Sequence, residues 1–193
     1  MSQITNDTIE FIKKHEGSVK NSNGEHIAYK DAVGVWTIGY GNTFYPDGKK
    51  VRNGDKISEN QAVDLLNKTL TDFSNSVNKL LKVKLNNCQY GAVLSFTYNL
   101  GKKNLEKSTL LKKINKNPSD PTIRDEFKRW VYAGGRKLAG LVTRRNEEAD
   151  YYFNSKCNID TAPPTTTPTP VLAKTNYLWI ILLLIAANYM IKK

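Results

Sequence analysis

The chain has 193 residues, 29 of them Lys or Arg and 18 Asp or Glu, so its formal net charge is +11. A hydrophobic fraction of 39% and a charged fraction of 24% exclude a disordered or fibrous protein. Two cysteines exclude a disulfide-rich scaffold. The length predicts one folded domain with its own core, followed by some additional chain.

A helix is the first predicted element. Ile9 and Ile12 have helical spacing, and Asp7 is suited to cap the start of the helix. Gly17 is suited to end it directly after Glu16. No secretory signal is expected, because the first residues contain no apolar stretch of the required length.

Short antiparallel strands with glycine turns are predicted next. Ile27 and Tyr29 are two residues apart, which is the period of a strand. Val35 and Thr37 repeat this spacing. Asp47-Gly48 is typical of a hairpin turn between two further extended segments.

The rest of the folded body has the helical period. Ser58 and Gln61 form a capping box ahead of a long helix. Further helices are predicted around Val93, from Ser108, from Pro121 to Val131, and over about residues 141–153. One helix, a small antiparallel sheet and a mostly helical lobe give an α+β fold.

The two cysteines belong to no CxxC pair. Cys88 is expected near the start of a helix, and Cys157 near the end of the folded body. A disulfide between them is conceivable, but spacing alone cannot place them together, so we expect two free thiols. With only two histidines, neither of them near a cysteine, no metal site is expected.

The folded body, residues 1–160, is followed by a segment rich in proline and threonine. Residues 161–170 read Thr-Ala-Pro-Pro-Thr-Thr-Thr-Pro-Thr-Pro. Proline fixes φ and removes backbone donors, so we expect residues 161–176 to form an extended, solvated linker.

An apolar segment, residues 177–191, follows the linker. As a helix it is about 22 Å long, against a hydrocarbon core of about 30 Å. Lys174 and Lys192 flank it, and their stems can lengthen its effective span. A single transmembrane anchor is predicted. The alternative, a buried core helix, fits poorly after a Pro/Thr linker.

Three polar side chains are candidates for catalysis. Glu16 ends the first helix, where the negative end of the dipole and partial burial favour a protonated acid. Asp31, at a strand end, can stay ionised as a base, and the Thr37 hydroxyl can position a water molecule. Glycosidic bond cleavage requires such an acid and base in different environments. Among 18 acidic residues, one such pair is a weak signal by itself.

The surrounding segments make the signal more specific. They read His15-Glu16-Gly17, Ala28-Tyr29-Lys30-Asp31 and Gly34-Val35-Trp36-Thr37-Ile38-Gly39-Tyr40-Gly41. Later segments at 89–101, 108–114, 127–135, 138–141 and 144–148 agree in order. Over about residues 5 to 155, the chain resembles the phage-type lysozymes and endolysins, glycoside hydrolase family 24.

The resemblance implies a lysozyme-like fold and a muramidase, which hydrolyses the β-1,4 bond between N-acetylmuramic acid and N-acetylglucosamine in bacterial peptidoglycan. Glu16 would be the general acid. Asp31 would bind or activate the attacking water or stabilise the oxocarbenium-like centre, and Thr37 would hold that water. No cofactor is expected.

The resemblance also implies that Thr43, Tyr98 and Ser108 line the substrate cleft. A core aromatic is the alternative for Tyr98, and a helix cap is the alternative for Ser108. Asn42 stands where many family members have histidine. Since asparagine carries no charge, an ion pair at that position is lost here.

Other functions remain open from the sequence. The chain could be a catalytically degenerate, membrane-anchored wall-binding or structural virion protein, because fold does not imply function. A lytic transglycosylase is a variant of the muramidase hypothesis. Nucleic-acid binding is not expected, because no basic helix or interleaving of aromatic and basic residues is present.

The flanking lysines bear on location. Lys192 and Lys193 follow the apolar run and favour a cytoplasmic C-terminus, which places the body outside the cytoplasm. We therefore expect a single-pass membrane protein with a monomeric catalytic domain facing the wall. The membrane would be the host inner membrane, for lysis, or the internal membrane of a virion, for entry.

Overall fold

The computed structural model describes residues 4–31 and 34–158 of the chain. The helices are α1 (Asn6–Glu16), α2 (Glu59–Leu80), α3 (Asn87–Leu100), α4 (Lys102–Lys107), α5 (Thr109–Lys116), α6 (Ile123–Lys128) and α7 (Ala139–Tyr152). The strands are β1 (His26–Ile27), β2 (Tyr29–Lys30), β3 (Trp36–Thr37), β4 (Lys56–Ile57), β5 (Tyr132–Ala133) and β6 (Arg136–Lys137). A 3-10 helix, Ser155–Asn158, follows α7.

Helix α1 ends where the sequence predicts but begins earlier. The Thr5 side chain caps it by accepting a hydrogen bond from the Thr8 backbone N–H at 3.2 Å, so the predicted cap, Asp7, is wrong. Asp7 lies in the first turn, where a negative charge suits the helix dipole. At the other end Gly17 has a φ of 62°, a conformation that glycine adopts without strain.

In the described residues, the predicted small sheet is two separate antiparallel ladders, and a third ladder lies between α6 and α7, where the sequence predicts no strand. Strand β1 pairs with β4, β2 with β3 and β5 with β6, each strand two residues long. The hairpin predicted at Asp47-Gly48 is confirmed, since the Tyr45 N–H donates to the Lys49 carbonyl at 2.8 Å. Glycines with positive φ lie in the turns that join β2 to β3 and β5 to β6, at Gly34, Gly134 and Gly135.

Capping residues set the starts of two helices in the larger lobe as predicted. Ser58 and Gln61 form the capping box of α2, and Ser108 caps α5. Helix α6 is shorter than predicted. It starts after Thr122 and ends at Lys128.

Helix α3 lies at the centre of the core. Most of its residues are buried, because α1, α2, α4 and α7 all pack against it. A helix that is apolar on every side requires such surroundings. The Phe96 ring meets Phe127 and Trp130 edge-on, with centroids 5.7 and 5.5 Å away.

A glycine permits the close approach of three of these helices. A Cβ atom at Gly91 of α3 would lie 2.8 Å from the Tyr151 ring of α7 and would also overlap the Thr8 hydroxyl of α1. The Thr8 and Tyr151 hydroxyls are themselves 3.1 Å apart and hydrogen bonded. The absence of a side chain at Gly91 therefore sets how closely α1 and α7 pack on α3.

The expectation of two free thiols is wrong. Cys88, at the start of α3, and Cys157, in the 3-10 helix, form a disulfide, with Cα atoms 5.6 Å apart. This separation is typical of disulfides. The two residues are 69 positions apart, and only the packing of α7 against α3 brings them together.

Glu59, the first residue of α2, joins the N-terminal elements. Its carboxylate accepts hydrogen bonds from Lys20, Tyr40 and the buried His26 at 2.6 to 2.8 Å, and Lys13 lies 3.1 Å away. Burial opposes the charge, but these donors outweigh it and hold the pKa of Glu59 well below its usual range. These contacts of Glu59 hold α1 and the β1–β4 ladder against α2.

Within residues 4–31 and 34–158, no helix has the length and apolarity needed to cross a bilayer. The predicted linker, residues 161–176, and the predicted anchor, residues 177–191, lie outside the described residues. Both therefore stay predictions, as does the boundary at residue 160.

Candidate active site

Glu16 occupies the C-terminal end of α1. The buried face of that helix carries Thr8, Ile12 and Glu16 at intervals of four residues. Core packing of this face draws the Glu16 side chain inward, and the residue is only 7% exposed. The same spacing that makes the helix amphipathic therefore buries a carboxyl group.

Asp31 and Thr37 lie on the β2–β3 hairpin. Asp31 directly follows β2 and is 5% exposed, while Thr37 ends β3 and is fully buried. The Val35 N–H donates to Asp31 Oδ1 at 2.8 Å, and the Thr37 hydroxyl donates to the Val35 carbonyl at 3.2 Å. Val35 thus ties both predicted site residues to one turn.

The loop that contains Gly39 and Gly41, here called the glycine loop, lies close to Glu16, as does Tyr98 of α3. The Tyr98 hydroxyl donates to the Tyr40 carbonyl at 2.6 Å. A Cβ atom at Gly41 would lie 3.6 Å from that hydroxyl and 3.9 Å from Glu16 Oε2. Gly41 has a φ of 95°, so the loop needs glycine there to wrap around the carboxyl group.

Tyr29 of β2 faces both candidate carboxylates. Burial, followed by the negative charges of Glu16 and Asp31, raises the pKa of Tyr29 to about 12. Burial and Glu16 also raise the pKa of Tyr98. Because the charge of Glu16 acts on both phenols and that of Asp31 acts on Tyr29, the structure brings the end of α1, the β2–β3 hairpin and α3 together.

Arg144 of α7 is the charged partner of Glu16. Its Nη1 lies 2.8 Å from Glu16 Oε1, as an ion pair without an aligned hydrogen bond, and the Arg144 side chain is almost fully buried. Burial opposes the charge of Arg144, but Glu16 and Glu148 outweigh that effect and raise its pKa. The sequence predicts the helix dipole and partial burial at Glu16 but does not identify this cation.

Arg144 belongs to a larger buried network. Glu148 Oε1 accepts hydrogen bonds from Arg144 Nε at 3.1 Å, Arg145 Nη2 at 2.8 Å and the Ser95 hydroxyl at 2.8 Å. With Glu16 included, two carboxylates face two guanidinium groups. Paired charges of this kind can be buried, whereas isolated ones cannot.

These network residues were missed in the sequence, although a signal was present. Leu141, Glu148 and Tyr152 have the spacing of one buried helix face, and Arg144 and Arg145 lie on it. A predicted helix that places arginine and glutamate at core positions indicates buried ion pairs.

His15 also lies beside the network. The pKa of His15 is lowered to about 3, because burial and the charges of Arg144, Lys14 and Arg145 disfavour a further positive charge. The Glu147 carboxylate lies 3.2 Å from its Nε2 but is shared with Lys14, so it does not compensate.

The three predicted substrate-binding residues have different surroundings. Tyr98 lies beside Glu16, as described above. The Ser108 hydroxyl donates to the Leu105 carbonyl and accepts from the Leu111 N–H, so it serves as a helix cap. The Thr43 carbonyl accepts from the Val51 N–H at 3.0 Å, next to the Asp47-Gly48 turn. Contact of all three with substrate stays a prediction.

Asn42 is buried behind the glycine loop. Its Nδ2 donates to the Thr69 hydroxyl of α2 at 2.9 Å, and its backbone pairs with Ile38. The side chain thus joins the loop to α2 through a neutral hydrogen bond.

Comparison with known proteins identifies the family. Residues 15–148, more than half of the chain, match the phage lysozyme family. The chain belongs to the phage lysozyme family. The resemblance drawn from the sequence motifs is thereby confirmed, and membership of this lysozyme family makes the chain a glycoside hydrolase.

Individual members agree with this assignment. The lysozyme domain is 42% identical over 122 residues to the SAR-endolysin of Bacteriophage PS119, which covers 63% of this chain and 70% of that protein. Its fold matches a mutant of P22 lysozyme with a TM-score of 0.70 and 32% identity, covering 80% of this chain and 100% of that one. The muramidase domain of SpmX from Asticaccaulis excentricus matches with a TM-score of 0.68 and 27% identity, covering 80% and 99%.

Proposed function

We propose that the protein is a muramidase that cleaves the β-1,4 bond between N-acetylmuramic acid and N-acetylglucosamine in peptidoglycan. The observation that carries the proposal is the placement of a buried, Arg144-paired Glu16 near the hairpin that holds Asp31 and Thr37. Membership of the phage lysozyme family and the likeness to a muramidase domain support it.

Each of the three residues has one step in the proposed reaction. Glu16, which is paired with Arg144 as a carboxylate in the unbound fold, must first take up a proton. It then donates that proton to the leaving glycosidic oxygen as the bond to the anomeric carbon breaks. Asp31 accepts a proton from a water molecule that the Thr37 hydroxyl positions, and that water adds to the anomeric carbon. The positive charge of Arg144 then balances the carboxylate left on Glu16.

We propose that Thr43, Tyr98 and Ser108 bind the substrate, because of where they lie relative to Glu16 and along the chain. The Tyr98 hydroxyl and Glu16 both lie close to Gly41, and Thr43 follows Gly41 two residues later. This nearness supports a role for Tyr98 and Thr43 in binding sugar beside the acid. Ser108 lies at the turn between α4 and α5 and caps α5. We propose that this turn contacts substrate at the edge of the cleft.

The assignment of the acid is tested with Glu16→Gln. Release of reducing ends from purified peptidoglycan should fall at least about 100-fold, because a general acid contributes a factor of 100 or more. Glu10→Gln is the matched control, since Glu10 is an exposed carboxylate on the same helix. Its activity should equal that of the wild type.

Two results would contradict this function. If Glu16→Gln releases reducing ends as fast as the wild type, Glu16 is not the acid. If the wild type binds peptidoglycan and releases neither reducing ends nor anhydro ends, the chain is a degenerate wall-binding protein. Mass spectrometry separates hydrolysis from transglycosylation, because only the latter leaves anhydro ends.

We further propose that residues 177–191 anchor the enzyme in the host inner membrane, with the catalytic domain facing the wall, and that it acts in lysis. The Cys88–Cys157 disulfide supports a body outside the reducing cytosol. The endolysin names of its relatives support lysis rather than virion entry.

Fractionation of cells that express the full chain tests the anchor. The protein should sediment with membranes and resist extraction at high pH. Leu183→Arg, which places a charge in the apolar run, should release it, whereas Thr166→Arg in the linker should not. Recovery of the wild type in the soluble fraction would refute the anchor.

A further inference from the structure

The Tyr29 side chain projects from the same face of the β2–β3 hairpin as two catalytic residues. Tyr29 pairs directly with Thr37 in the antiparallel register, and directly paired residues point to the same side. Asp31 follows two residues later along the strand and so returns to that side. The longer side chain of Tyr29 extends beyond both toward Glu16, whose charge acts on its phenol.

The Tyr29 hydroxyl is buried, and within residues 4–31 and 34–158 it has no hydrogen-bond partner. Six other tyrosine hydroxyls in the described fold are hydrogen bonded, namely those of Tyr40, Tyr45, Tyr90, Tyr98, Tyr151 and Tyr152. A buried hydroxyl without a partner lowers the stability of the fold. Its position beside the carboxylates indicates that its partner belongs to the bound substrate.

The surroundings specify the chemistry of that partner. With its pKa near 12, the phenol stays protonated at neutral pH and acts as a donor. The two nearby carboxylates repel an anion. A neutral oxygen therefore fits, either a sugar hydroxyl or the carbonyl of an N-acetyl group.

We propose that the Tyr29 hydroxyl is a further catalytic group, which donates a hydrogen bond to a neutral oxygen of the sugar bound between Glu16 and Asp31. This inference rests on the muramidase function proposed above. The bond forms only when the glycan is in place, so the unbound fold carries the unpaired hydroxyl as a cost of function.

Tyr29→Phe removes this hydroxyl and leaves the ring. We expect kcat/KM on peptidoglycan to fall about tenfold, since that is the effect of one lost hydrogen bond to a neutral group. We also expect Tm to stay equal to that of the wild type or to rise, because the unbound fold loses no bond. Lower activity together with undiminished stability is the signature that a structural role would not give.

Tyr152→Phe is the matched control. It removes another buried phenol oxygen, one that donates to the Pro118 carbonyl at 2.9 Å, away from the cleft. Its Tm should fall while kcat/KM stays at the wild-type value. This reversed pattern separates loss of a substrate contact from general loss of packing.

A Tyr29→Phe enzyme with wild-type kcat/KM would overturn the proposal, and so would a lowered Tm that accounts for the lost activity. Calorimetric binding of N-acetylglucosamine oligomers distinguishes this outcome from failure of the muramidase function. If the wild type binds the oligomers without cleaving peptidoglycan, the proposed muramidase function is wrong. In that case weaker binding of the oligomers by Tyr29→Phe would still support the proposed contact of Tyr29 with sugar, and equal binding would refute it.

Discussion

At the scale of single residues, the candidate acid is surrounded by buried charged side chains. Glu16 and Glu148 face Arg144 and Arg145, and His15 is adjacent. A third cation here would not be balanced, so His15 stays neutral. Protonation of His15 therefore couples the stability of the fold to pH.

Acid should destabilise the protein in part through His15. Its pKa is about 3 in the folded chain, against an ordinary value of 6.5. Below pH 6.5 the unfolded chain binds a proton that the folded chain does not bind, so this stabilisation is complete above pH 6.5 and is lost as pH falls toward 3. The loss is about 1.4 kcal/mol per pH unit in this window.

Urea unfolding at pH 7, 6 and 5 measures this effect. The free energy of unfolding of His15→Gln should fall less steeply with decreasing pH than that of the wild type. Parallel pH profiles for the two proteins would show that His15 is not the coupled group.

The residues of the candidate site differ in how far sequence could predict them. Glu16, Asp31 and Thr37 lie close along the chain within short glycine-rich motifs, and the family resemblance of those motifs is what nominates them. Their catalytic roles stay a prediction. Arg144 is 128 positions from Glu16 and pairs with it because α1 and α7 both pack on α3. Contacts of that range depend on tertiary packing, which spacing does not encode.

At the scale of elements, capping residues and hydrophobic periodicity predict where helices lie more accurately than they predict how strands pair. The Ser58 capping box is local, and the structure confirms it. The strands are too short for alternation to specify which segments pair. Alternation near Tyr29 therefore indicated extended chain but not three separate ladders.

Helix packing should be sensitive to substitution at Gly91. Gly91→Ala adds a methyl group that overlaps Tyr151 and Thr8, which should cost about 1–3 kcal/mol despite the better helix propensity of alanine. Thermal unfolding measures the expected decrease in Tm. Gly24→Ala is not a suitable control because of its positive φ, whereas Asn75→Ala, at an exposed position of α2, is. An unchanged Tm in Gly91→Ala would mean that α1 and α7 can separate without loss.

At the scale of the whole molecule, the Cys88–Cys157 disulfide closes the larger lobe. The bond spans 69 positions and connects the start of α3 to the 3-10 helix after α7. Cross-linking a loop of this length restricts the unfolded chain. The folded state should therefore be more stable with the bond than without it.

Replacing both cysteines measures that contribution. Cys88→Ala combined with Cys157→Ala should lower the free energy of unfolding by about 2–4 kcal/mol in urea titrations. Adding a thiol reductant should shift the wild type toward the double variant and leave the variant unchanged. Equal midpoints for the two oxidised proteins would show that the bond adds no stability.

The same bond determines how the domain bears mechanical load. Tension applied to the chain beyond residue 158 reaches Cys157 and passes through the disulfide into α3, the most enclosed helix of the core. Without the bond, the pull would act on the end of α7 and peel it from α3, carrying Arg144 away from Glu16. With the bond, a pull on the C-terminal end of the domain should leave Arg144 and Glu16 together.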